Sequence, residues 1–297
     1  MNQGYRSGFV SIIGCPNVGK STLLNHLIGQ KIAIVTDRAQ TTRNKITGVL
    51  TKPGYQIVFL DTPGVTDPRN RLGDYMQKVA FDTLSEVEAI LFVCDTVGGL
   101  RERDEKLMDK LKKAKAPVLA LLNKADIASM EQVKAAEEIL AAREQFQTVL
   151  KVSAKTGDGL DELETRLAAL MPEGPQYFPE DMVTDQPERI ICGELIREKA
   201  LMLLREEIPH GIGVGIDRME KREDRELMDV YATIYCERDS HKGIIIGKGG
   251  SMLKRIGAES RKDIEWLIGC PVNLQLWIKV KEDWRNKPAV LHELGYE

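Results

Sequence analysis

The stretch Gly14-Cys15-Pro16-Asn17-Val18-Gly19-Lys20-Ser21-Thr22 decides how this chain folds, because it joins an apolar run at residues 9–13 to an apolar helical pattern. It has the form G-x-x-x-x-G-K-S of a phosphate-binding loop between a strand and a helix. Glycines let the backbone N–H groups wrap around phosphate oxygens, the lysine reaches the β- and γ-phosphates, and the serine hydroxyl faces Mg²⁺. The stretch therefore predicts a nucleoside triphosphate site after the first strand.

The chain around this loop alternates short apolar runs with helical patterns as far as residue 171. Strands are expected at residues 9–13, 45–51, 57–60, 89–94, 118–122 and 149–152. Continuous apolar strands separated by helices are typical of a parallel sheet that is covered on both faces. We therefore predict an α/β P-loop domain at residues 1–171, with a mostly parallel sheet and helices on both faces.

Three further motifs follow predicted strands of the same sheet. Asp61-Thr62-Pro63-Gly64 places a carboxylate beside the loop, where it can hold Mg²⁺ through water, and a glycine N–H that can meet the γ-phosphate. In Asn123-Lys124-Ala125-Asp126, a carboxylate can accept two hydrogen bonds from guanine, whereas adenine has no such donor pair. Guanine is therefore the expected base, and Ser153-Ala154-Lys155 is expected to complete its pocket with backbone N–H groups.

These four motifs, in this order and at these strand ends, resemble a translation-factor-type GTPase domain. The resemblance implies that GTP or GDP is bound with Mg²⁺, and that a threonine of a mobile segment completes the metal site. In Gln40-Thr41-Thr42-Arg43 we choose Thr42, although it could instead be a β-forming residue that leads into the next strand. The predicted metal ligands are Ser21, Thr42 and Asp61. The predicted nucleotide-binding residues are Gly14, Cys15, Pro16, Asn17, Val18, Gly19, Lys20, Ser21, Thr22, Asp61, Thr62, Pro63, Gly64, Val65, Asn123, Lys124, Ala125, Asp126, Ser153, Ala154 and Lys155.

Val65 stands where Ras-like GTPases carry a glutamine that positions water, and a hydrocarbon side chain cannot orient water. The chain thus resembles the GTPases with a hydrophobic replacement, which implies slow intrinsic hydrolysis that a partner or a cation must accelerate. Related enzymes use an asparagine at the position of Asn17 to hold a potassium ion. We hypothesise stimulation by K⁺, with an ordinary turn asparagine as the alternative. The residues expected to act in catalysis are Lys20, Thr42, Gly64 and Asn17.

Length and composition limit the kind of protein. At 297 residues the chain has room for two domains, and 42% hydrophobic with 29% charged residues excludes disorder and collagen-like structure. The formal charge of −3 argues against a uniformly basic coat for nucleic acid. Five scattered cysteines without CxxC spacing suggest neither a disulfide framework nor a zinc cluster, and the first residues lack the apolar run of a signal peptide. A cytoplasmic protein is expected.

The composition changes at residues 172–188, where four prolines alternate with acidic residues, and this stretch is the predicted linker. Residues 189–297 then show a different pattern. A helix is expected at 190–206, alternating strands at 212–216 and 230–236, a helical region around a glycine cluster at 240–268, and a strand at 272–280. This part is therefore predicted to be an α+β domain of order α-β-β-α-α-β, followed by a C-terminal tail.

Gly247-Lys248-Gly249-Gly250 is a GxxG loop within the helical region of that domain, and basic side chains surround it. Glycines let a nucleic-acid backbone approach, and the next helix offers N–H groups to phosphate. In this order of elements the loop resembles that of a type II KH domain, which clamps about four single-stranded nucleotides. The alternative is a solvated helix face with ordinary core isoleucines. The predicted RNA-binding residues are Lys242, Ile244, Ile246, Gly247, Lys248, Gly249, Gly250, Ser251, Lys254 and Arg255. Core packing is expected for Trp266, Trp277 and Trp284, with base stacking as the alternative.

A GTPase domain joined by a short linker to a C-terminal type II KH domain resembles the Era family of bacterial GTPases over nearly the whole chain. The resemblance implies a factor that binds 16S rRNA near its 3′ end in the GTP form, assists assembly of the small (30S) ribosomal subunit and is released on hydrolysis. It also implies peripheral contact with the inner membrane, and a monomer is expected. Two alternatives stay open: a P-loop phosphotransferase with an appended RNA-binding domain, and a passive RNA-binding protein with a structural nucleotide.

Overall fold

The structure is a computed structural model that describes residues 4–205 and 208–296. These residues form two units, and a sheet of six strands lies at the centre of the first unit. The predicted limits at Met1 and Glu297 and the predicted helix end at Glu206 lie outside the described residues. The strand order is β2-β3-β1-β4-β5-β6, with β2 antiparallel to β3 and the other neighbours parallel. The elements are β1 (Arg6–Ile13), α1 (Lys20–Ile28), β2 (Ile46–Lys52), β3 (Tyr55–Asp61), α2 (Arg71–Asp82), β4 (Ala89–Asp95), α3 (Glu102–Leu111), β5 (Val118–Asn123), α4 (Met130–Ala141), β6 (Phe146–Lys151) and α5 (Leu160–Leu170).

Helices cover both faces of this sheet, which confirms the predicted α/β architecture. On one face, Leu23 of α1 and Leu163 of α5 are buried against β1, β3 and β4. On the other face, Leu107 of α3 and Leu140 of α4 are buried against β4 and β5. Because the strands other than β2 run in one direction, their carboxyl ends meet at one edge of the sheet, and the loops that follow them lie together there.

Most of the predicted linker is held against the first unit. The Val49 N–H of the edge strand β2 donates to the Val183 carbonyl at 2.8 Å, and the Gln56 side chain accepts the Tyr177 N–H at 2.8 Å and the Phe178 N–H at 3.0 Å. Proline keeps this stretch from forming a helix or an inner strand, but its other backbone groups still pair with the sheet. The prediction of a spacer over all of 172–188 is therefore corrected.

The chain divides between Asp185 and Gln186, inside that predicted stretch, and residues 69–72 group with the second unit. The second unit contains α6 (Glu188–Leu203), β7 (Gly213–Lys221), β8 (Met228–Cys236), α7 (Asp239–Ile246), α8 (Ser251–Ile268), β9 (Val272–Val280) and α9 (Pro288–Glu293). Its sheet has the order β7-β8-β9, with the first pair antiparallel and the second parallel. This confirms the predicted α-β-β-α-α-β order. None of the helices in the described ranges has the length and apolar character needed to cross a membrane.

The prediction that all three tryptophans pack in the core is wrong for two of them. Trp284 is fully buried and its indole N–H donates to the Gly211 carbonyl at 2.8 Å. Trp266 is 65% exposed and Trp277 is 46% exposed. Trp277 lies on the outward side of the pleat of β9, and Trp266 lies on α8 away from the buried residue Ile264.

Candidate functional site

Two glycines set the form of the loop between β1 and α1. A Cβ atom added at Gly14 would lie 2.3 Å from the Val93 carbonyl oxygen. Gly19 has a φ of 99°, and a Cβ there would lie 2.3 Å from Asn123 Nδ2. Any larger residue would push the loop away from β4 and β5. The loop therefore wraps tightly over the carboxyl ends of the parallel strands, as a phosphate-binding loop requires.

Lys20 begins α1 and is buried, with its ammonium inside the curve of this loop. Its Nζ donates to the carbonyl oxygens of Gly14 and Cys15, both at 3.1 Å. Burial lowers the pKa of this ammonium, while the Asp61 carboxylate opposes the shift. Carbonyl dipoles neutralise a positive charge only in part, so a phosphate anion at the mouth of the loop would be a stronger partner.

Three oxygen-bearing side chains meet beside this lysine, although they come from α1, β3 and the segment before β2. Ser21 Oγ donates to Asp61 Oδ2 at 2.6 Å and lies 2.8 Å from Thr42 Oγ1. Within the described residues, the buried Asp61 Oδ1 has no hydrogen-bond partner. Burial raises the pKa of this carboxyl group to about 6. A hard divalent cation would satisfy the orphaned oxygen and would lower that pKa again, so the donor set fits Mg²⁺.

The choice between the two adjacent threonines follows from their hydrogen bonds. Thr41 Oγ1 donates to the Arg38 carbonyl at 2.7 Å and lies 2.6 Å from Thr36 Oγ1, so it takes part in the fold of its own loop. Thr42 is buried and faces Ser21. The geometry therefore brings Thr42, rather than Thr41, to the candidate metal site.

The segment after β3 is attached to the phosphate-binding loop. A Cβ at Gly64 would lie 2.8 Å from Pro16 Cα, so only glycine allows this approach. The Val65 N–H donates to the Gly14 carbonyl at 3.2 Å, and the Val65 side chain is buried in the core that α3 and α4 cover. Thr62 Oγ1 donates to the Ile12 carbonyl at 2.8 Å. The side chain at position 65 therefore points away from the cavity where a nucleotide phosphate would lie.

Asn123 links three of the predicted motifs. Its Nδ2 donates to the Val18 carbonyl at 2.7 Å, and its Oδ1 accepts the Ala154 N–H at 2.9 Å. The Ala125 N–H donates to the Val152 carbonyl at 3.1 Å. These bonds link the phosphate-binding loop, the loop after β5 and the loop after β6. The predicted phosphate and base pockets are therefore held at fixed positions relative to each other.

The predicted base-binding groups differ in exposure. Asp126 and Lys155 are exposed, whereas Ser153 is fully buried and its hydroxyl accepts the Thr156 N–H at 3.1 Å. Lys124 has a left-handed backbone, with a φ of 63°. An exposed carboxylate is ready for the two donors of a guanine edge, since no hydrogen bond within the described residues engages Asp126.

A cavity of about 380 Å³, a volume within the range of small-ligand sites, lies between the phosphate-binding loop and the segment before β2, and it extends to Lys124. Residues predicted from the motifs that line it are Pro16, Asn17, Gly19, Lys20, Ser21, Thr22, Thr42, Gly64 and Lys124. The motif analysis missed Ile34, Val35, Thr36 and Asp37, which also line the cavity. Nothing in their residue types marks them, and only their position just before Gln40-Thr41-Thr42-Arg43 could have suggested a role.

Cys15 and Val18 contribute their backbone rather than their side chains, because both are buried. Burial raises the pKa of the Cys15 thiol to about 12, so this sulfur stays protonated. Asn17 has a φ of 64°, and its Nδ2 donates to the Asp37 carbonyl at 2.8 Å. This bond fixes the asparagine side chain at the cavity and joins it to the segment that carries Thr42.

The second candidate site is the glycine loop between α7 and α8. Gly247, Gly249 and Gly250 have φ values of 71°, 60° and 80°, and a Cβ at Gly247 would lie 2.8 Å from Met252 Cβ. Lys248 is exposed at the tip of the loop. The left-handed backbone of this loop therefore favours glycine at these positions. Because glycine has no side chain, a nucleic-acid backbone can approach the loop closely.

Side chains next to the loop combine apolar and basic groups. Ile244 is 51% exposed, whereas the adjacent Ile245 is fully buried. Lys254 and Arg255 are exposed in the first turns of α8, while Lys242 and Ile246 are half-buried. Ile244 is therefore not a core residue, and it lies next to the glycine loop together with the exposed lysines.

Two known families match parts of this chain, and known proteins are similar to nearly all of it. The family described as 50S ribosome-binding GTPase matches residues 9–124, and the KH domain family matches residues 207–285. The GTPase Era of Caldicellulosiruptor saccharolyticus is 48% identical over 293 residues, which are 98% of each chain. The GTPase Era of Alkaliphilus metalliredigens is 50% identical over 293 residues, which are 99% of each chain.

Two solved structures are similar over both units. A crystal structure of Era in complex with MgGDPNP and nucleotides 1506–1542 of 16S ribosomal RNA is 40% identical and has a TM-score of 0.94. A crystal structure of an Aquifex aeolicus Era variant bound to GDP and AlF4⁻ has the same identity and TM-score. Each similarity covers 98% of this chain and 99% of the other.

Proposed function

Since this chain belongs to the family of the GTPase Era, we propose that it is a GTP-hydrolysing switch that binds the 3′ end region of 16S rRNA and assists 30S subunit assembly. The observation that carries this proposal is the meeting of Ser21, Thr42 and Asp61 at the mouth of the phosphate-binding loop. The relative that was crystallised with MgGDPNP and 16S nucleotides supports both the nucleotide and the RNA.

Mg²⁺ is the proposed metal, held by Ser21, Thr42 and Asp61. When bound, it would neutralise negative charge on the β- and γ-phosphates. Around it, the Lys20 ammonium and the N–H groups of the loop bind phosphate oxygens, and Gly64 leaves room for its own N–H to face the γ-phosphate. Asp126 selects guanine by accepting two hydrogen bonds from its edge.

The switch element is the segment that precedes β2. Thr42 bonds to Ser21, and the Asp37 carbonyl of the same segment accepts a hydrogen bond from Asn17. A γ-phosphate supports this arrangement, and its loss on hydrolysis removes part of that support. We propose that this change alters RNA affinity and releases the protein from its assembly site.

Hydrolysis is proposed to be slow without a stimulating factor. The Val65 side chain is a hydrocarbon and is buried away from the cavity, so it cannot hold the attacking water. We propose that K⁺ accelerates the reaction. The Asn17 side chain is held at the cavity edge by its Nδ2, and that hydrogen bond leaves its Oδ1 able to coordinate a cation. Equal hydrolysis rates in potassium and sodium buffers would contradict this part of the proposal.

Crosslinking the GTP-bound protein to cellular RNA and sequencing the attached RNA tests the function directly. We expect enrichment of the 3′ end of 16S rRNA, and much less of it for the GDP-bound protein. RNA affinity that is indifferent to the nucleotide would favour a passive RNA-binding protein. Transfer of the γ-phosphate to a small molecule instead of water would favour a phosphotransferase.

Two variants separate the two sites in that experiment. Lys20→Ala should abolish tight GTP binding, because it removes the ammonium that would bind the β- and γ-phosphates, while the second unit still folds, since Lys20 belongs to the first unit. Lys248→Asp with Gly249→Asp should repel the RNA backbone and leave basal hydrolysis unchanged. A cytoplasmic location, a monomeric state and peripheral contact with the inner membrane stay predictions of the family resemblance.

A further inference from the structure

The exposed side of α8 carries a line of cations that ends at an exposed tryptophan. Arg255, Lys262 and Trp266 are spaced by seven and four residues, which places them within about 40° of one another around the helix axis. Lys254 and Arg261 form a second row beside them and are also exposed. We call this surface, formed by Lys254, Arg255, Arg261, Lys262 and Trp266, the basic face of α8.

Trp266 is the feature that the fold itself does not explain. Its side chain is 65% exposed, while Ile256, Ser260 and Ile264 on the opposite side of α8 are fully buried. A large aromatic side chain left in water beside charged groups is typical of a binding position. Trp277 is a useful contrast, because its ring stacks on Tyr231 at a centroid distance of 5.9 Å.

The charge of the basic face favours a polyanion as its occupant. Arg255 pairs with Glu259 at 2.8 Å and Arg261 lies 3.7 Å from Glu265, but exposed pairs along a helix are weak and phosphate can compete for the cations. In the part of the chain that the structure describes, the ion pairs include neither Lys254 nor Lys262. Lys262 is thus available for a phosphate contact, and Arg261 has only its longer contact with Glu265 to exchange for one.

The position of this face favours RNA in particular. The helix begins directly after the glycine loop, and the rise of a helix puts Trp266 about 22 Å along the axis from Ser251. A stacked strand rises about 3.4 Å per nucleotide, so this distance corresponds to about six nucleotides, more than the roughly four that a KH loop clamps. Exposed aromatic rings next to cations are the usual means of binding further single-stranded bases without sequence preference.

We infer that the basic face of α8 is a second RNA-binding surface, on which Arg261 and Lys262 contact phosphates and a base stacks on Trp266. It extends the proposed RNA contact of the glycine loop and therefore rests on the proposed function. The ligand class is a single-stranded RNA segment that leaves the glycine loop along α8.

Binding of labelled RNA to the full-length, GDPNP-loaded protein tests this inference. The probes are the 16S segment 1506–1542 and overlapping hexanucleotides that tile it. Trp266→Ala should weaken binding of the long segment at least about fivefold and leave the tightest hexanucleotide unchanged, since the loop alone suffices for the latter. Trp266→Phe should restore most of the affinity, whereas Trp266→Leu should not, and the control Trp277→Ala should bind like the wild type.

The salt dependence gives a second readout for the cations. Arg261→Gln with Lys262→Gln should reduce the slope of log affinity against log salt by about 1.4, the value for two phosphate contacts with a single strand. Lys113→Gln with Lys134→Gln, on exposed positions of the first unit, should leave the slope unchanged.

Three outcomes would be informative. An unchanged affinity of Trp266→Ala for the long segment would overturn the inference, and would mean that RNA does not occupy this face. Equal effects of Trp266→Ala on the long segment and the hexanucleotides would also overturn it. If the wild type binds none of these probes, the proposed RNA function itself fails.

Discussion

The Lys124 ammonium lies 2.7 Å from the Asp95 carboxylate, at the point where the loop after β5 meets the end of β4. Both side chains are half-buried, and Asp95 Oδ1 also accepts the N–H groups of Val97 and Gly98 at 3.0 Å and 3.1 Å. Although partial burial opposes it, hydrogen bonding to Lys124 lowers the pKa of Asp95 overall. Asp95 therefore holds Lys124 at the wall of the nucleotide cavity.

Asp95→Asn should accelerate the release of guanine nucleotide about two- to fivefold, because a half-buried ion pair contributes up to about 1 kcal/mol. Stopped-flow measurement of fluorescent GDP release gives the rate. Asp109→Asn, which removes an exposed pair with Lys112 on α3, is the matched control and should not change it. An unaltered release rate in Asp95→Asn would mean that Lys124 needs no such support.

Val65→Gln should destabilise the first unit without raising basal GTP hydrolysis. The side chain at this position is buried in an apolar core, where an amide without partners costs about 1 to 3 kcal/mol. Chemical denaturation measures the loss of stability, and phosphate release measures the rate. Val65→Ile should leave both nearly unchanged, whereas faster hydrolysis in Val65→Gln would show that this side chain can reach the phosphate site.

Gly19→Ala should lower GTP affinity by at least about a hundredfold. The new methyl group would combine a left-handed backbone with a 2.3 Å contact to Asn123 Nδ2, and the displaced amide would lose its bonds to two other loops. Isothermal titration with GTP checks this. Gly54→Ala is the control, since Gly54 has a φ of 91° but no atom within 4 Å of an added Cβ, so it should bind GTP normally.

Asp229→Asn should lower the stability of the second unit at neutral pH and remove part of its loss of stability in acid. Hydrogen bonds from Arg222 and Asn273 lower the pKa of the buried Asp229 carboxyl group to about 2, below its ordinary value of 3.8. A lowered pKa contributes stability that is present above about pH 4 and is lost as the pH falls toward 2. Tryptophan fluorescence between pH 5 and pH 2 should show this loss in the wild type.

In Asp229→Asn the stability should fall less between pH 5 and pH 2 than in the wild type, and the stability at pH 7 should be lower. Asp224→Asn is the control, because that exposed carboxylate lies 4.0 Å from its arginine partner. If both variants follow the wild-type acid profile, the pairing of Asp229 with Arg222 does not support the fold.

Much of the nucleotide site could be predicted from the order of residues. The phosphate-binding motif is nine consecutive residues that lead from the end of β1 into the first turn of α1, so its geometry depends mainly on its own glycines. Lys124 was found in the same way, but Asp95 was not. An aspartate at a strand end is common, and only the packing of β4 beside β5 brings its carboxylate to Lys124.

The tryptophans and the proline-rich stretch show two different reasons for failure. The alternation in β9 predicts that Trp277 faces outward, whereas the general preference of tryptophan for the interior predicts the opposite. Residues 172–184 read as a spacer because their own pattern forms no helix or strand. Their partners on β1, β2 and β3 lie more than a hundred residues away, and no local pattern indicates them.

Local residue order was thus sufficient for the two-unit architecture, the guanine nucleotide site and the glycine loop, because each depends on short-range backbone geometry and on the period of apolar residues. Tertiary structure decided which threonine faces Ser21, which way Val65 points, what holds Lys124 and that Trp266 is exposed to water. Those outcomes depend on strand order and on helix packing, which bring together groups that are far apart in the chain. Such contacts have no signature in any contiguous stretch of sequence.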